Sequence, residues 1–382
     1  MPIPQINMMV IGTLVLFLTL TTIHAQRCQE ASANCINIRN CPATLAIPTS
    51  PKPLSASTVE TLQISQCGFE GNDLKVCCNL ETSTPMMRTD ASNQGPPDVT
   101  NHPNLRLLDH VACGPLATQK IFGGKKTRVL QYPWMALISY TSNISKSDPD
   151  FRCGGTLISS RYILTAAHCV TELPDGLQVI GVRVGEHDLT TERDCERDKN
   201  GTEVFCSNYQ DFGIDSIQYH PDYTTSRMQN DIALIRLNVS VNFSPRDIKP
   251  ICLPIGNSRP ISRNNEAVVT GWGATKSGQR SKVLMQVNLP LVDNEQCEKA
   301  YSQFSDIWYK QLCAGGHIEV DSCLGDSGGP LQAESIYNGG PVRFVQYGVV
   351  SYGLIECGID GFPGVYTRVT YYMDWILNTM TP

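Results

Sequence analysis

Three short stretches of the chain carry residues that could do chemistry together. "LTAAHC" places His168 after an apolar run and beside Cys169, "NDIALIRL" places Asp231 just before another apolar run, and "DSCLGDSGGP" places Ser327 in a glycine-rich turn. Hydrolysis of an amide needs a nucleophile, a base that takes its proton, and an acid group that orients the base. It also needs backbone N–H donors for the oxygen of the tetrahedral intermediate, and glycines around Ser327 let the backbone expose them. Each stretch alone has an ordinary explanation: a packed histidine, a turn aspartate, a tight glycine turn. Their joint occurrence in the order His, Asp, Ser points to nucleophilic hydrolysis.

Such residues need a scaffold that brings distant segments together. Beyond Ile121 the chain is a series of short β-branched runs separated by turns, among them "YPWMALISY", "GGTLISSRYILTAAH", "EAVVTGWG", "FVQYGVVSYG" and "GVYTRV". Short strands at close spacing without long helices between them indicate an all-β barrel or sandwich. Val369, Tyr372, Met373, Ile376, Leu377 and Met380 form one apolar stripe and predict a closing helix. Upstream, six cysteines lie between Cys28 and Cys78. A region that small builds little core and depends on cross-links. Its adjacent Cys77 and Cys78 should bridge to separate partners, and six cysteines leave about fifteen possible connectivities. "STVETLQIS" opens with a capping box, Ser57 to Glu60, that suits a short helix. From Asn79 to about Val111 the composition is Ser, Thr, Pro, Asn and Gly without an apolar period, which reads as an exposed flexible linker.

The 382 residues leave room for two or three domains. A net charge of −6 with no long basic block argues against nucleic acid or an anionic membrane as partner. The apolar run from Val10 to Ile23, followed by the small residue Ala25, is too short to span a bilayer comfortably and fits a secretory signal, residues 1–25. Sixteen cysteines behind such a signal read as disulfides formed in an oxidising compartment. They lack the repeated close pairs of a zinc site. Four glycosylation sequons, at Asn143, Asn200, Asn238 and Asn242, are compatible with secretion, and Pro245 after the last disfavours its use.

From Ile121 to the C-terminus the chain resembles a chymotrypsin-fold serine protease, through "YPWM", "TAAHC", "DIAL", "VTGWG", "GDSGGP" and "GVYTRV". The segment from Cys28 to Cys78, six cysteines ending in a Cys-Cys pair, resembles the clip domain found ahead of such proteases in arthropods. The combination resembles clip-domain serine proteases, the activators of prophenoloxidase and of the Toll pathway. The implied fold is all-β: two antiparallel six-stranded β-barrels and a C-terminal helix, preceded by a small disulfide-rich clip domain. The implied organisation is a signal peptide (1–25), a clip domain (27–78), a linker and activation segment (79–120) and a trypsin-like protease domain (121–382).

The same resemblance assigns roles. His168, Asp231 and Ser327 form the catalytic triad, and the N–H groups of Gly325 and Ser327 form the oxyanion hole. Cleavage between Lys120 and Ile121, in "QKIFGG", frees an ammonium that pairs with Asp326 and shapes the specificity pocket. Asp321 sits at the base of that pocket and Gly353 and Gly364 at its walls, which selects Arg or Lys. Expected disulfides are Cys28–Cys77, Cys35–Cys67, Cys41–Cys78, Cys113–Cys252, Cys153–Cys169, Cys297–Cys313 and Cys323–Cys357. Cys195 and Cys206, left over within one loop, most simply pair with each other. In that loop Glu186, Asp188, Thr191 and Asp194 resemble a calcium site, and a hard divalent ion suits their oxygens. Implied partners are a protein substrate, an upstream activating protease and serpin-type inhibitors in an extracellular fluid. A non-catalytic homologue acting as a binding cofactor is the alternative, but such homologues lack the serine that this chain keeps at 327.

Overall fold

The β-branched runs become strands of two rings. The structure, a computed structural model, describes residues 34–37, 66–70, 73–78, 95–116, 125–142, 150–198, 200–244, 246–261, 265–274, 279–302, 305–316, 326–353 and 360–382. It falls into two units, Met1–Asn93 and Gln94–Pro382. In the first, β1 (Asn34–Asn37), β2 (Gln66–Glu70) and β3 (Asp73–Cys78) make an antiparallel sheet with β3 in the middle. Cys35 stands opposite Cys77 in register. The three bridges expected in this unit lie outside the described side chains, as the expected helix at Ser57–Glu60 and the signal segment lie outside the described residues.

The second unit opens its strands with β4 (Lys125–Lys126), then β5 (Met135–Ser142), β6 (Asp150–Ser159), β7 (Tyr162–Thr165) and β8 (Leu177–Val184). A hairpin of β9 (Arg193–Arg197) and β10 (Glu203–Asn208) follows, then β11 (Gln210–Phe212), β12 (Ile214–Tyr219) and β13 (Ala233–Leu237). The first sheet runs β11-β8-β5-β6-β7-β13-β12. Only Gly213 separates β11 from β12, so a single bent strand pairs with both edges and closes a six-stranded barrel. At the bend a Cβ on Gly213 would lie 2.7 Å from Asn238 Nδ2, so a side chain there would displace the Asn238 amide. Closure leaves no sheet edge open to another chain.

The second barrel is built from β15 (Glu266–Gly271), β16 (Met285–Val292), β17 (Gln311–Gly315), β18 (Pro330–Ile336), β19 (Val342–Tyr352) and β20 (Pro363–Arg368), with the short β14 (Arg259–Pro260) against β18. Its ring order is β18-β15-β16-β17-β20-β19, and β19 returns to pair with β18. Helix α1 (Asn294–Tyr301) starts at Asp293, whose carboxylate caps Gln296 N–H at 2.8 Å. The closing stripe is helical, as its period predicts, but begins as a 3-10 turn, Val369–Tyr372, before α2 (Met373–Thr379). All six stripe residues are buried.

The barrels meet on a packed seam. Trp134 is fully buried against Tyr132 and Phe344, and its indole N–H reaches Gln332 Oε1 at 2.7 Å. Thr156 on β6 donates to Gln346 on β19 at 2.6 Å. Buried hydrogen bonds that cross the seam favour one mutual placement of the barrels.

One expectation needs correction. The linker expected over 79–120 is not an exposed flexible segment where it is described, from residue 95 to 116. Val99 and Leu108 are buried in the main core, and Pro103–Leu107 forms a 3-10 turn. Asn104 donates to the carbonyls of Leu377 and Met380 at the end of α2, and His110 meets Tyr337 Oη at 2.6 Å. The apolar residues here enter the protease core singly, at irregular spacing, so no period betrays them. Among the described residues no helix is long and apolar enough to cross a membrane.

Candidate active site

His168 and Asp231 are brought together by strand pairing. His168 lies in the 3-10 turn Ala167–Cys169 after β7, Asp231 lies two residues before β13, and Ala233 pairs with Thr165 where those strands meet. Asp231 is fully buried. One of its oxygens accepts the His168 backbone N–H at 3.0 Å, and the other meets His168 Nδ1 at 2.8 Å and accepts the Ser351 hydroxyl at 2.5 Å. Thr367 donates to the Asp231 carbonyl at 2.7 Å. Ser351 and Thr367 come from β19 and β20, so the second barrel holds an acid carried by the first. Sequence reading missed both, because nothing distinguishes them from other strand hydroxyls. Burial pulls the His168 imidazole toward the neutral form, but the charge and hydrogen bond of Asp231 outweigh it, and its pKa rises above the usual 6.5. His220 packs on Tyr372 and Trp375.

The Ser327 loop docks beside this pair. Gly154 donates to the Ser327 carbonyl at 2.8 Å, and Gly328 donates to Val350 on β19. Gly328 has φ +76°, and a Cβ there would lie 2.2 Å from Thr165 Oγ1 and 3.2 Å from Cys169 Sγ. The residue after Ser327 therefore packs against the end of β7 and the last residue of the His168 turn, and only glycine fits. Asp326 is half-buried and accepts the Gly273 N–H at 2.9 Å. Gly353 and Gly364 face each other, a Cβ on the first lying 3.9 Å from the Cα of the second, with no side chain between them. Lys120, Ile121, Asp321, Gly325 and the Cys323–Cys357 bridge lie outside the described residues.

Four expected bridges are formed: Cys113–Cys252, Cys153–Cys169, Cys195–Cys206 and Cys297–Cys313. Cys153–Cys169 ties β6 to the His168 turn. Cys195 and Cys206 stand opposite each other in the β9–β10 hairpin, an element the sequence reading left as loop. Of the sequons, Asn200, Asn238 and Asn242 are exposed, and Asn143 lies outside the described residues.

The acidic loop gathers two buried carboxylates. Glu186 and Asp194 are each 5 % exposed, and both place an oxygen 2.9 Å from the single backbone nitrogen of His187. Arg183 pairs with the far oxygen of Glu186 at 3.2 Å. Burial first, then the charge of Asp194, pushes Glu186 up to about 7. The Asp188 carboxylate instead turns to Thr190, while its carbonyl accepts the Thr191 N–H, and the Thr191 hydroxyl donates to Asp194 at 2.6 Å. Two buried carboxylates that converge on one N–H, only one of them paired with Arg183, offer the oxygen ligands that a hard cation takes.

Residues 121–376 match the family model described as Trypsin, and residues 27–78 match the one described as Regulatory CLIP domain of proteinases. The chain is 38% identical over 376 residues to Melanization protease 1 of Drosophila melanogaster, covering 92% of this chain and 91% of that protein. It is 37% identical over 378 residues to CLIP domain-containing serine protease HP8 of Bombyx mori, covering 96% of each. Among solved structures it is similar to the crystal structure of Drosophila Grass, a clip serine protease of the Toll pathway. That likeness has a TM-score of 0.62 and 34% identity, and covers 91% of this chain and 94% of that one.

Proposed function

The chain belongs to the trypsin family of serine proteases and carries a regulatory CLIP domain, and from that premise we propose that it is a secreted zymogen of a trypsin-like endopeptidase. Cut between Lys120 and Ile121 by an upstream protease, it cleaves after Arg or Lys in a protein of an extracellular cascade of the melanisation or Toll kind, under control of serpin-type inhibitors. The names of its relatives support the cascade. The observation that carries the chemistry is the buried Asp231, which two barrels hold against His168 Nδ1.

That contact leaves the proton of a neutral imidazole on Nδ1 and the lone pair on Nε2, the form that accepts a proton from Ser327. Ser327 then attacks the scissile carbonyl, and the N–H groups of Gly325 and Ser327 receive the developing oxyanion. The imidazolium is stabilised by Asp231 and passes its proton to the leaving amine. The slot walled by Gly353 and Gly364, with Asp321 at its base, takes the cationic side chain before the cut. The freed Ile121 ammonium pairs with Asp326 and sets this loop. Glu186 and Asp194 would hold calcium by their side chains, with Asp188 and Thr191 adding carbonyls. The ion would neutralise the two buried carboxylates and order the loop.

The test begins with the full chain treated with immobilised trypsin-like protease. Wild type should then hydrolyse an arginyl anilide, Ser327→Ala should be cut before Ile121 yet fall by several orders of magnitude in turnover, and Lys120→Gln should stay silent. Near wild-type hydrolysis by Ser327→Ala, or full activity in uncut Lys120→Gln, would sink the reading.

A further inference from the structure

The strand that opens the protease domain is held from two directions. Lys125 and Lys126 pair with Gln286 and Met285 on β16. Thr127 is buried and donates its N–H and its hydroxyl to the Leu284 carbonyl, at 3.1 and 2.8 Å. These holds come from the second barrel. Another comes from the β9–β10 hairpin, where Glu196 Oε1 accepts the Val129 N–H at 2.9 Å. Glu196 stands opposite Phe205 on β10, directly after the Cys195–Cys206 bridge, so its own hairpin fixes its position. A cavity of about 440 Å³ lies between hairpin and strand, lined by Thr127 and Val129 from the strand and by Arg193, Glu196 and Arg197 from the hairpin. The Glu196 carboxylate bridges that gap.

The residue after Val129 depends on such a bridge. Arg128 and Gln131 close a turn, with the Gln131 N–H on the Arg128 carbonyl and the Arg128 N–H on Gln131 Oε1, both at 3.1 Å. Inside the turn Leu130 has φ +134°, a backbone region that residues with a Cβ rarely adopt and keep only where their surroundings impose it. Gln131 is buried and donates its amide to Gln286 Oε1 at 2.6 Å, which pins the turn after Leu130. Glu196 pins it before Leu130. Removing the carboxylate frees the Val129 N–H and lets Leu130 relax, which loosens the strand that leads back to Ile121.

We propose that Glu196 is a positioning residue for activation: by clamping Val129 it holds the start of the protease domain where the freed Ile121 ammonium reaches Asp326. The proposal rests on the activation reading above. Glu196 acts through the strand, on the equilibrium between the paired and the free ammonium. Pairing with a carboxylate keeps the ammonium protonated to higher pH, so activity that needs the pair falls as pH climbs through the raised value. Weaker pairing brings that fall to lower pH.

The full chain cut by immobilised trypsin-like protease tests it, as wild type, Glu196→Ala and Glu196→Gln. Two readouts report the Ile121 amine: its rate of carbamylation by cyanate, followed by mass spectrometry, and the alkaline limb of kcat/KM for an arginyl anilide. Loss of one hydrogen bond to a charged group weighs about tenfold. Glu196→Ala should therefore be carbamylated about tenfold faster, with its alkaline limb about one pH unit lower. Glu196→Gln keeps an oxygen for the Val129 N–H and should stay within about threefold of wild type. A Glu196→Ala protein that melts lower, yet keeps the wild-type carbamylation rate and alkaline limb, would overturn the proposal, as would an equal loss in Glu196→Gln. Wild type that is cut before Ile121 and leaves the anilide intact overturns the protease reading, and this one with it.

Discussion

Asp231 is the residue on which the site turns. It has no exposed surface, and its carboxylate is tolerated because a backbone N–H, an imidazole and the Ser351 hydroxyl surround it. Its attraction raises the His168 pKa above the usual 6.5. The protonated pair therefore stabilises the fold at pH values below the unfolded pKa, and that contribution is lost as pH climbs through the raised folded value. An NMR titration of His168 in the Ser327→Ala background should place its midpoint above 6.5, and adding Asp231→Asn should lower it. An unmoved midpoint would mean that Asp231 does not set the charge of the ring. His168, Asp231 and Ser327 stood out in the sequence because each sits in a short stretch of distinctive chemistry. Ser351 and Thr367 did not, since their contacts to Asp231 span 120 and 136 residues of chain.

At the scale of elements, the acidic loop and the segment before the protease domain behave unlike their sequence texture. Glu186 and Asp194 share one N–H with both carboxylates out of water, so a bound cation should stabilise the loop that they close. Calcium should raise the melting temperature of the EDTA-treated protein and slow proteolysis between residues 186 and 206, and Glu186→Gln should remove most of both effects. The same melting and cleavage with and without calcium would dismiss the site. Residues 95–116 lock onto the core through Leu108, 7% exposed. Leu108→Ala should destabilise by about 2–3 kcal/mol, seen as a lower denaturant midpoint with unchanged m-value. An unchanged midpoint would show that the segment is only loosely attached.

For the whole molecule, a single cut before Ile121 need not release the segment that carries Cys113. Cys113 bridges Cys252, and the surrounding backbone adds Gly114 N–H to Pro250, Phe344 N–H to Gly114, and the Asn104 bonds to α2. After cleavage before Ile121, a Cys113→Ser, Cys252→Ser protein should still elute as one species on size exclusion and separate in mild denaturant. Two species in plain buffer would show that the disulfide alone retains the front piece.

What the sequence determined by itself is local. The order of His168, Asp231 and Ser327, the run of short strands, the apolar stripe of the last helix and the glycine after the nucleophile all rest on a few neighbouring residues whose types limit backbone and chemistry. Tertiary structure decided what depends on distant surfaces: the closure of the first barrel through the bend at Gly213, the hydroxyls that Ser351 and Thr367 bring across the seam, and the docking of Val99 and Leu108. The same holds for the convergence of Glu186 and Asp194 on one N–H. These contacts are set by burial and hydrogen-bond satisfaction between segments far apart in the chain, and no periodicity in either segment records its partner.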